Sequence, residues 1–226
     1  GHGQSLTDGQ LALYRAMTTG TDLTGMVVGS AGSGKTTALD AVRHALGSRG
    51  ITVYGVSTSA IATQGLKDAA RIDRSTVARL LGRIAFATDP AHPARDRADH
   101  LESTGSEHDR RRAAAIRDAY ALPPMDHLVV DEASMLAVTE KAQIMEWAQR
   151  AHVRVTLVGD HKQLKAIGPS SLFAEMIKVR GAVELTENLR QKTPLGRDCA
   201  AFLRDEKPRD ALEMLAAADQ FRVARS

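Results

Sequence analysis

Aromatic residues make up only 4% of this 226-residue chain, so its core has to be built from Val, Leu, Ile, Ala and Met. A single cysteine, Cys199, excludes an internal disulfide framework and is what a reducing compartment allows. It sits in the apolar stretch Cys199-Ala200-Ala201-Phe202-Leu203 and reads as a buried helix residue. No apolar run approaches the ~18 residues needed to cross a bilayer, and no signal-peptide pattern is visible. The histidines are scattered, without the spacing to Cys or Asp that a metal site needs. No aromatic run offers a base-stacking platform. A net charge of +3 is too small to identify nucleic acid as a partner.

What remains is an ordinary balance of 43% hydrophobic and 25% charged residues, enough for one good-sized α/β domain. Short apolar runs alternate with helical patterns, the signature of a parallel sheet with crossover helices. Strands are predicted at Gly25–Gly29, Thr52–Thr58, Asp126–Asp131, Arg154–Gly159 and Ala182–Leu185. Helices are predicted at Asp8–Met17, Lys35–Leu46, Ala60–Ala70, Thr76–Ile84, Val138–Ala151, Leu172–Lys178, Gly196–Leu203 and Pro208–Ala217, with Thr7 as the N-cap of the first. Residues 1–4, opening Gly1-His2-Gly3, read as a tail left by expression, and 5–226 as the domain proper. Between 86 and 123 the pattern breaks down around Pro90, Pro93 and Arg110-Arg111-Arg112. That stretch reads as a polar insertion with mobile parts and one helix, Asp109–Tyr120. Tyr54, Trp147 and the methionines read as packing residues.

Gly29-Ser30-Ala31-Gly32-Ser33-Gly34-Lys35-Thr36 matches the phosphate-loop pattern G-x-x-x-x-G-K-[ST] at every fixed position, between a predicted strand and a predicted helix. Its glycines let N–H groups turn inward around phosphate oxygens, and the helix N-terminus that follows favours negative charge. Lys35 is the candidate for the β- and γ-phosphates, the Thr36 hydroxyl for Mg²⁺, and Thr37 completes the cradle. Phosphoryl transfer also needs a metal-holding carboxylate and a group to orient water. Asp131 and Glu132, ending the run Leu128-Val129-Val130, supply both. A Glu after the Asp points to ATP hydrolysis rather than a guanine-nucleotide switch.

Four further stretches carry a family resemblance. Asp131-Glu132-Ala133-Ser134-Met135 and Gly159-Asp160-His161-Lys162-Gln163-Leu164 resemble motifs II and III of the RecD-like branch of superfamily 1 DNA helicases. Leu185-Thr186-Glu187-Asn188-Leu189-Arg190-Gln191 resembles motif IV, and Leu6-Thr7-Asp8-Gly9-Gln10 the Q motif. Within that branch the chain is most similar to the helicase region of conjugative relaxases of the TraI/TrwC kind. The signs are Gln191 after the motif IV arginine, the ending Phe202-Leu203-Arg204 with Asp210-Ala211-Leu212, and Ala78 where many RecD-like proteins carry a histidine.

The resemblance implies a RecA-like α/β P-loop NTPase fold, a parallel sheet flanked by helices, acting with ATP and Mg²⁺ in the bacterial cytoplasm. It gives Gln10 the adenine edge, Arg190 the γ-phosphate, and Gln163 a link between nucleotide and DNA. Single-stranded DNA would cross the top of the domain, its phosphates touching Ser57, Thr58, Ser59, Ser75 and Thr76. Short hydroxyl side chains hold phosphate without reading sequence, but they also serve as helix N-caps, so both readings stand. Such helicases use two RecA-like domains, and no second one is legible after Ala218. The fragment is therefore expected to bind ATP, hydrolyse it slowly and not unwind DNA alone. The alternatives are a single-stranded-DNA scaffold that has lost catalysis and a nucleotide switch acting on a protein partner.

Overall fold

The computed structural model describes residues 6–29, 32–60, 63, 70–160, 172–186, 193–204 and 207–218. Among these the strands are β1 (Thr24–Gly29), β2 (Val53–Ser57), β3 (Asp73–Thr76), β4 (His127–Val130), β5 (Arg154–Gly159) and β6 (Val183–Leu185). All pair in parallel, in the order β3-β2-β4-β5-β1-β6. The helices are α1 (Asp8–Thr19), α2 (Lys35–Gly47), α3 (Val77–Thr88), α4 (Pro93–Ser103), α5 (Glu107–Tyr120), α6 (Val138–Ala151), α7 (Leu172–Arg180), α8 (Pro194–Arg204) and α9 (Pro208–Ala217).

Successive side chains of a strand point to opposite faces, and here both faces are covered. Leu128 and Val130 of β4 pack with Leu80 and Ile84 of α3, Ile144 and Trp147 of α6, and Phe173 of α7. Val129 between them turns to the other face, against Leu13 and Met17 of α1 and Leu39, Val42 and Leu46 of α2. Continuous apolar strands follow from this double burial. Tyr54 and Trp147 are core residues, as expected.

β3 is the strand the sequence conceals. Asp73-Arg74-Ser75-Thr76 has no apolar alternation, and it is a strand because it pairs along β2 at the sheet edge. The predicted helix 60–70 lies largely outside the described residues.

The stretch 86–123 departs from expectation. α3 runs on to Thr88, and two helices follow it where one was predicted. His92 caps α4, its Nδ1 accepting from the Ala94 N–H, and Ser106 caps α5. The two helices meet through Ala98, Leu101, Ala113 and Ile116, a contact too small to leave a visible apolar stripe. Phe86 stacks on Tyr120 at 5.0 Å with His92 edge-on to both, fixing the hairpin to α3.

His127, at the start of β4, is 1% exposed, and its Nε2 lies 2.8 Å from Thr156 Oγ1. Burial, aided by Arg154, lowers its pKa from 6.5 to about 4. The unfolded chain therefore takes up a proton between those values that the folded chain refuses. Stability is complete above pH 6.5 and falls by about 3 kcal/mol on acidification to 4. Urea midpoints measured across that window should fall steeply in the wild type and less in His127→Gln; parallel curves would remove His127 from the acid limb.

Candidate nucleotide-binding site

β1 ends at Gly29 and α2 begins at Lys35. In the loop, Gly32 and Gly34 adopt φ of +83° and +76°, where a side chain is strained and successive N–H groups can face one point. Gly34 is also the N-cap of α2, so the positive end of that helix opens here. Gly29 is needed for space. A Cβ on it would lie 2.7 Å from Ser33 Oγ and 3.2 Å from both Leu185 Cβ and Lys35 Cγ. Lys35 Nζ donates to the Gly29 carbonyl at 2.7 Å, folding the ammonium back over the loop. Ser33 is 1% exposed, and its hydroxyl is buried without a hydrogen-bond partner among the described residues. An unspent hydroxyl, two left-handed glycines and an ammonium suit an anion with several oxygens. Thr36 is half-buried and Thr37 exposed in the first turn of α2. Ser30 and Ala31 lie outside the described residues, as do Gln163 and Arg190.

Gln10 reaches this loop from α1. Its Nε2 donates to the Gly34 carbonyl at 3.1 Å, and its Oε1 accepts from the Thr7 N–H at 3.0 Å. The Thr7 hydroxyl accepts in turn from the Gln10 N–H, completing a capping box.

The acidic pair follows β4. The Asp131 N–H donates to the Val56 carbonyl at 2.8 Å, extending the sheet by one residue. Glu132 then turns into the left-handed region, φ +52°, a strain of about 1–2 kcal/mol for a residue with a side chain. Its N–H donates to Asp131 Oδ1 at 2.9 Å. Burial raises the pKa of the Asp131 carboxyl, while Lys35 and that N–H pull it down. Burial also raises Glu132, with Asp131 and Asp160 adding to the rise and Lys35 opposing it. Lys35, Asp131, Glu132 and Asp160 therefore share one field at the carboxyl edge of the sheet, where β5 lies between β4 and β1.

Two buried residues in or near this group had no role in the sequence reading. Asp160, 4% exposed, is visible only as the second residue of Gly159-Asp160. Lys141, 2% exposed, donates its Nζ to the Leu136 carbonyl at 2.6 Å and so anchors the turn that follows Glu132. Only a lone Lys on an apolar helix face could have signalled it.

The hydroxyl residues expected along DNA divide. Ser57 is fully buried, and its hydroxyl, like that of Ser33, has no hydrogen-bond partner among the described residues. Ser75 is nearly buried and donates to the Thr76 carbonyl at 3.2 Å. Thr76 caps α3, accepting from the Arg79 N–H. Thr58 and Ser59, at the carboxyl end of β2, are exposed.

Residues 5–226 match the protein family described as the AAA domain. Conjugal transfer protein TraA of Rhizobium radiobacter is 28% identical over 166 residues, 74% of this chain and 12% of that protein. RecBCD enzyme subunit RecD of Mycolicibacterium smegmatis is 35% identical over 97 residues, 42% of this chain and 17% of that protein. The crystal structure of Bacteroides Pif1 bound to ssDNA superposes with a TM-score of 0.58 at 19% identity, covering 95% of this chain and 50% of that one. For Pif1 helicase from Candida albicans the TM-score is 0.58 at 16% identity, over 92% and 47%. These likenesses establish the RecA-like fold, and the relatives bear out the resemblance to RecD-like helicases and relaxases. The chain spans 12% and 17% of the curated relatives' length.

The crowding at Gly29 can be tested directly. Gly29→Ala should weaken binding of a fluorescent ATP analogue by at least about tenfold, since overpacking of this order costs ~1–3 kcal/mol. Gly47→Ala, where a Cβ would meet nothing within 4 Å, should bind as the wild type does. Equal affinities for the two variants would rule out the loop as the binding surface.

Proposed function

The chain belongs to the AAA domain family, with TraA and RecD among its relatives, and on that footing we propose that it is the first motor domain of an ATP-driven helicase that moves along single-stranded DNA. The observation that carries this reading is the meeting of Lys35, Asp131 and Glu132 beside the glycine loop, at the carboxyl edge of a parallel sheet. Ligands of open α/β sheets bind at that edge.

The chemistry is in-line attack of water on the γ-phosphate of ATP. The loop N–H groups and the α2 terminus hold the phosphates, and Lys35 offsets charge on the β- and γ-oxygens. The Thr36 hydroxyl and the Asp131 carboxylate would hold Mg²⁺, which would supply positive charge to offset that of the phosphates. Glu132 orients the attacking water from a left-handed turn directly after the strand that Asp131 continues. Arg190 and Gln163 enter by resemblance, as the γ-phosphate contact and the link to DNA. Thr58 and Ser59 are the exposed part of the DNA track, and Thr76 and Ser75 lie beside them at the end of β3. A second RecA-like domain of the same protein supplies the rest of the track and another arginine. A place in a conjugative relaxase fits the TraA relationship.

ATP turnover measured with and without single-stranded DNA tests this reading. DNA should stimulate turnover, and Lys35→Ala should abolish it. Glu132→Gln should keep nucleotide binding while lowering turnover on the order of 100-fold. Nucleotide binding with turnover indifferent to DNA would favour a switch acting on a protein partner.

The DNA track makes a separate claim. Thr58→Ala combined with Ser59→Ala should weaken single-stranded DNA binding about fivefold, as loss of one or two phosphate hydrogen bonds implies. ATP affinity without DNA should be unchanged. Undiminished DNA affinity would remove these two residues from the track.

A further inference from the structure

The buried face of α6 is apolar at Ile144, Trp147 and Ala148, and Lys141 shares that face at 2% exposure. Burial disfavours its ammonium and lowers its pKa, with Glu140 opposing. A Met or Leu there would fill the space without desolvating a charge. What the lysine adds is a donor at the end of a long side chain, and Nζ directs it to the Leu136 carbonyl at 2.6 Å.

That carbonyl stands where the turn after β4 runs into α6. Lys141 grips the junction twice, through its own N–H to the Ala137 carbonyl at 3.1 Å and through Nζ to Leu136. The first is an ordinary helical bond, and only the second depends on lysine. The Ala137 N–H donates to Glu140 Oε2 at 2.9 Å, so the α6 side of the junction is fixed.

The other side leads back to Glu132. The Met135 N–H donates to the Glu132 carbonyl at 2.9 Å and the Leu136 N–H to the Ala133 carbonyl at 3.4 Å, making one tight turn of this segment. The Ser134 N sits against β5, where a Cβ on Gly159 would stand 3.0 Å away. Glu132 enters the turn left-handed at φ +52°, and such a backbone persists only where its surroundings hold it. Leu136, 2% exposed, is the far end of that hold. We infer that Lys141 is a positioning residue for ATP turnover: through the Leu136 carbonyl it holds the turn that fixes the Glu132 backbone, without itself touching nucleotide. The inference rests on the reading of Glu132 as the group that orients water.

The test is single-turnover hydrolysis of Mg²⁺·ATP at saturating 226-residue chain, with affinity for a fluorescent ATP analogue and the melting temperature measured beside it. Lys141→Met keeps an unbranched stem and removes the donor. Turnover should fall about tenfold, as loss of one buried hydrogen bond implies, while affinity stays within about twofold. The melting temperature should shift little, because removing a buried charge offsets the carbonyl left unpaired. Ile144→Val, on the same helix face, should lower the melting temperature and leave turnover unchanged. Lys141→Gln, too short to keep the Leu136 bond, should repeat the turnover loss and carries the test should Lys141→Met not fold.

Wild-type turnover in the Lys141 variants, or a loss of affinity as large as that of turnover, would overturn the inference. So would an equal turnover loss in Ile144→Val, because the effect would then be the stability of α6. Glu132→Gln separates the two claims. If it and the wild type turn over alike, or neither does at all, the reading of Glu132 in this chain fails, and this inference with it. A slow Glu132→Gln beside an unimpaired Lys141→Met removes Lys141 alone.

Discussion

Three carboxyl groups and one ammonium meet at the carboxyl edge of a sheet buried on both faces, and the site depends on the balance among them. Burial alone pushes Asp131 and Glu132 toward their protonated forms, and the neighbouring carboxylates raise Glu132 further. Lys35 is the counterweight to both. A parallel sheet makes this gathering possible, because every strand delivers its carboxyl end to the same edge. The arrangement carries more negative than positive charge, which is the electrostatic condition for taking up a divalent cation beside a phosphate chain.

Rigid backbone supports that balance. Left-handed Gly32 and Gly34 shape the loop, left-handed Glu132 sets the turn after β4, and a helix side chain ties each of these two segments. Gln10 grips the Gly34 carbonyl, and Lys141 grips the carbonyl at Leu136. Gly159 allows the turn and α7 to close on β5, since a Cβ there would lie 3.0 Å from the Ser134 N and 3.1 Å from Phe173 Cζ. The polar ends of the strands are thus fixed from both covering layers of helices.

Much of this was legible in the sequence because it is local. Five strands and the phosphate loop follow from apolar runs and a fixed spacing of glycine and lysine. β5, α6 and α9 fall at their predicted boundaries. What was hidden depends on partners distant in the chain. β3 is polar and exists through pairing to β2, and α4 buries only Ala98 and Leu101, too little for a periodic signal. Ser57 was placed along DNA by resemblance alone, and the burial of all five residues of β2, which β3 flanks, carries no local signal either. The Q-motif spacing located Gln10, but only the fold shows which atoms its amide faces.

The helical hairpin shows how a sequence signal for nucleic acid can be cancelled by its own surroundings. Arg110-Arg111-Arg112 suggests a basic face, yet residues 93–120 hold six arginines and six carboxylates. Arg111 pairs with Glu107, Arg112 with Asp109, and Arg117 with both Asp99 and Glu102. Arg110 donates to the Gly105 carbonyl instead. Exposed pairs of this kind add little stability, but they leave no net field to draw in a polyanion. Counterion release, the main source of affinity for a DNA backbone, therefore has little to act on here. The exposed hydroxyls at the carboxyl end of β2 lie on the same edge of the sheet as Lys35.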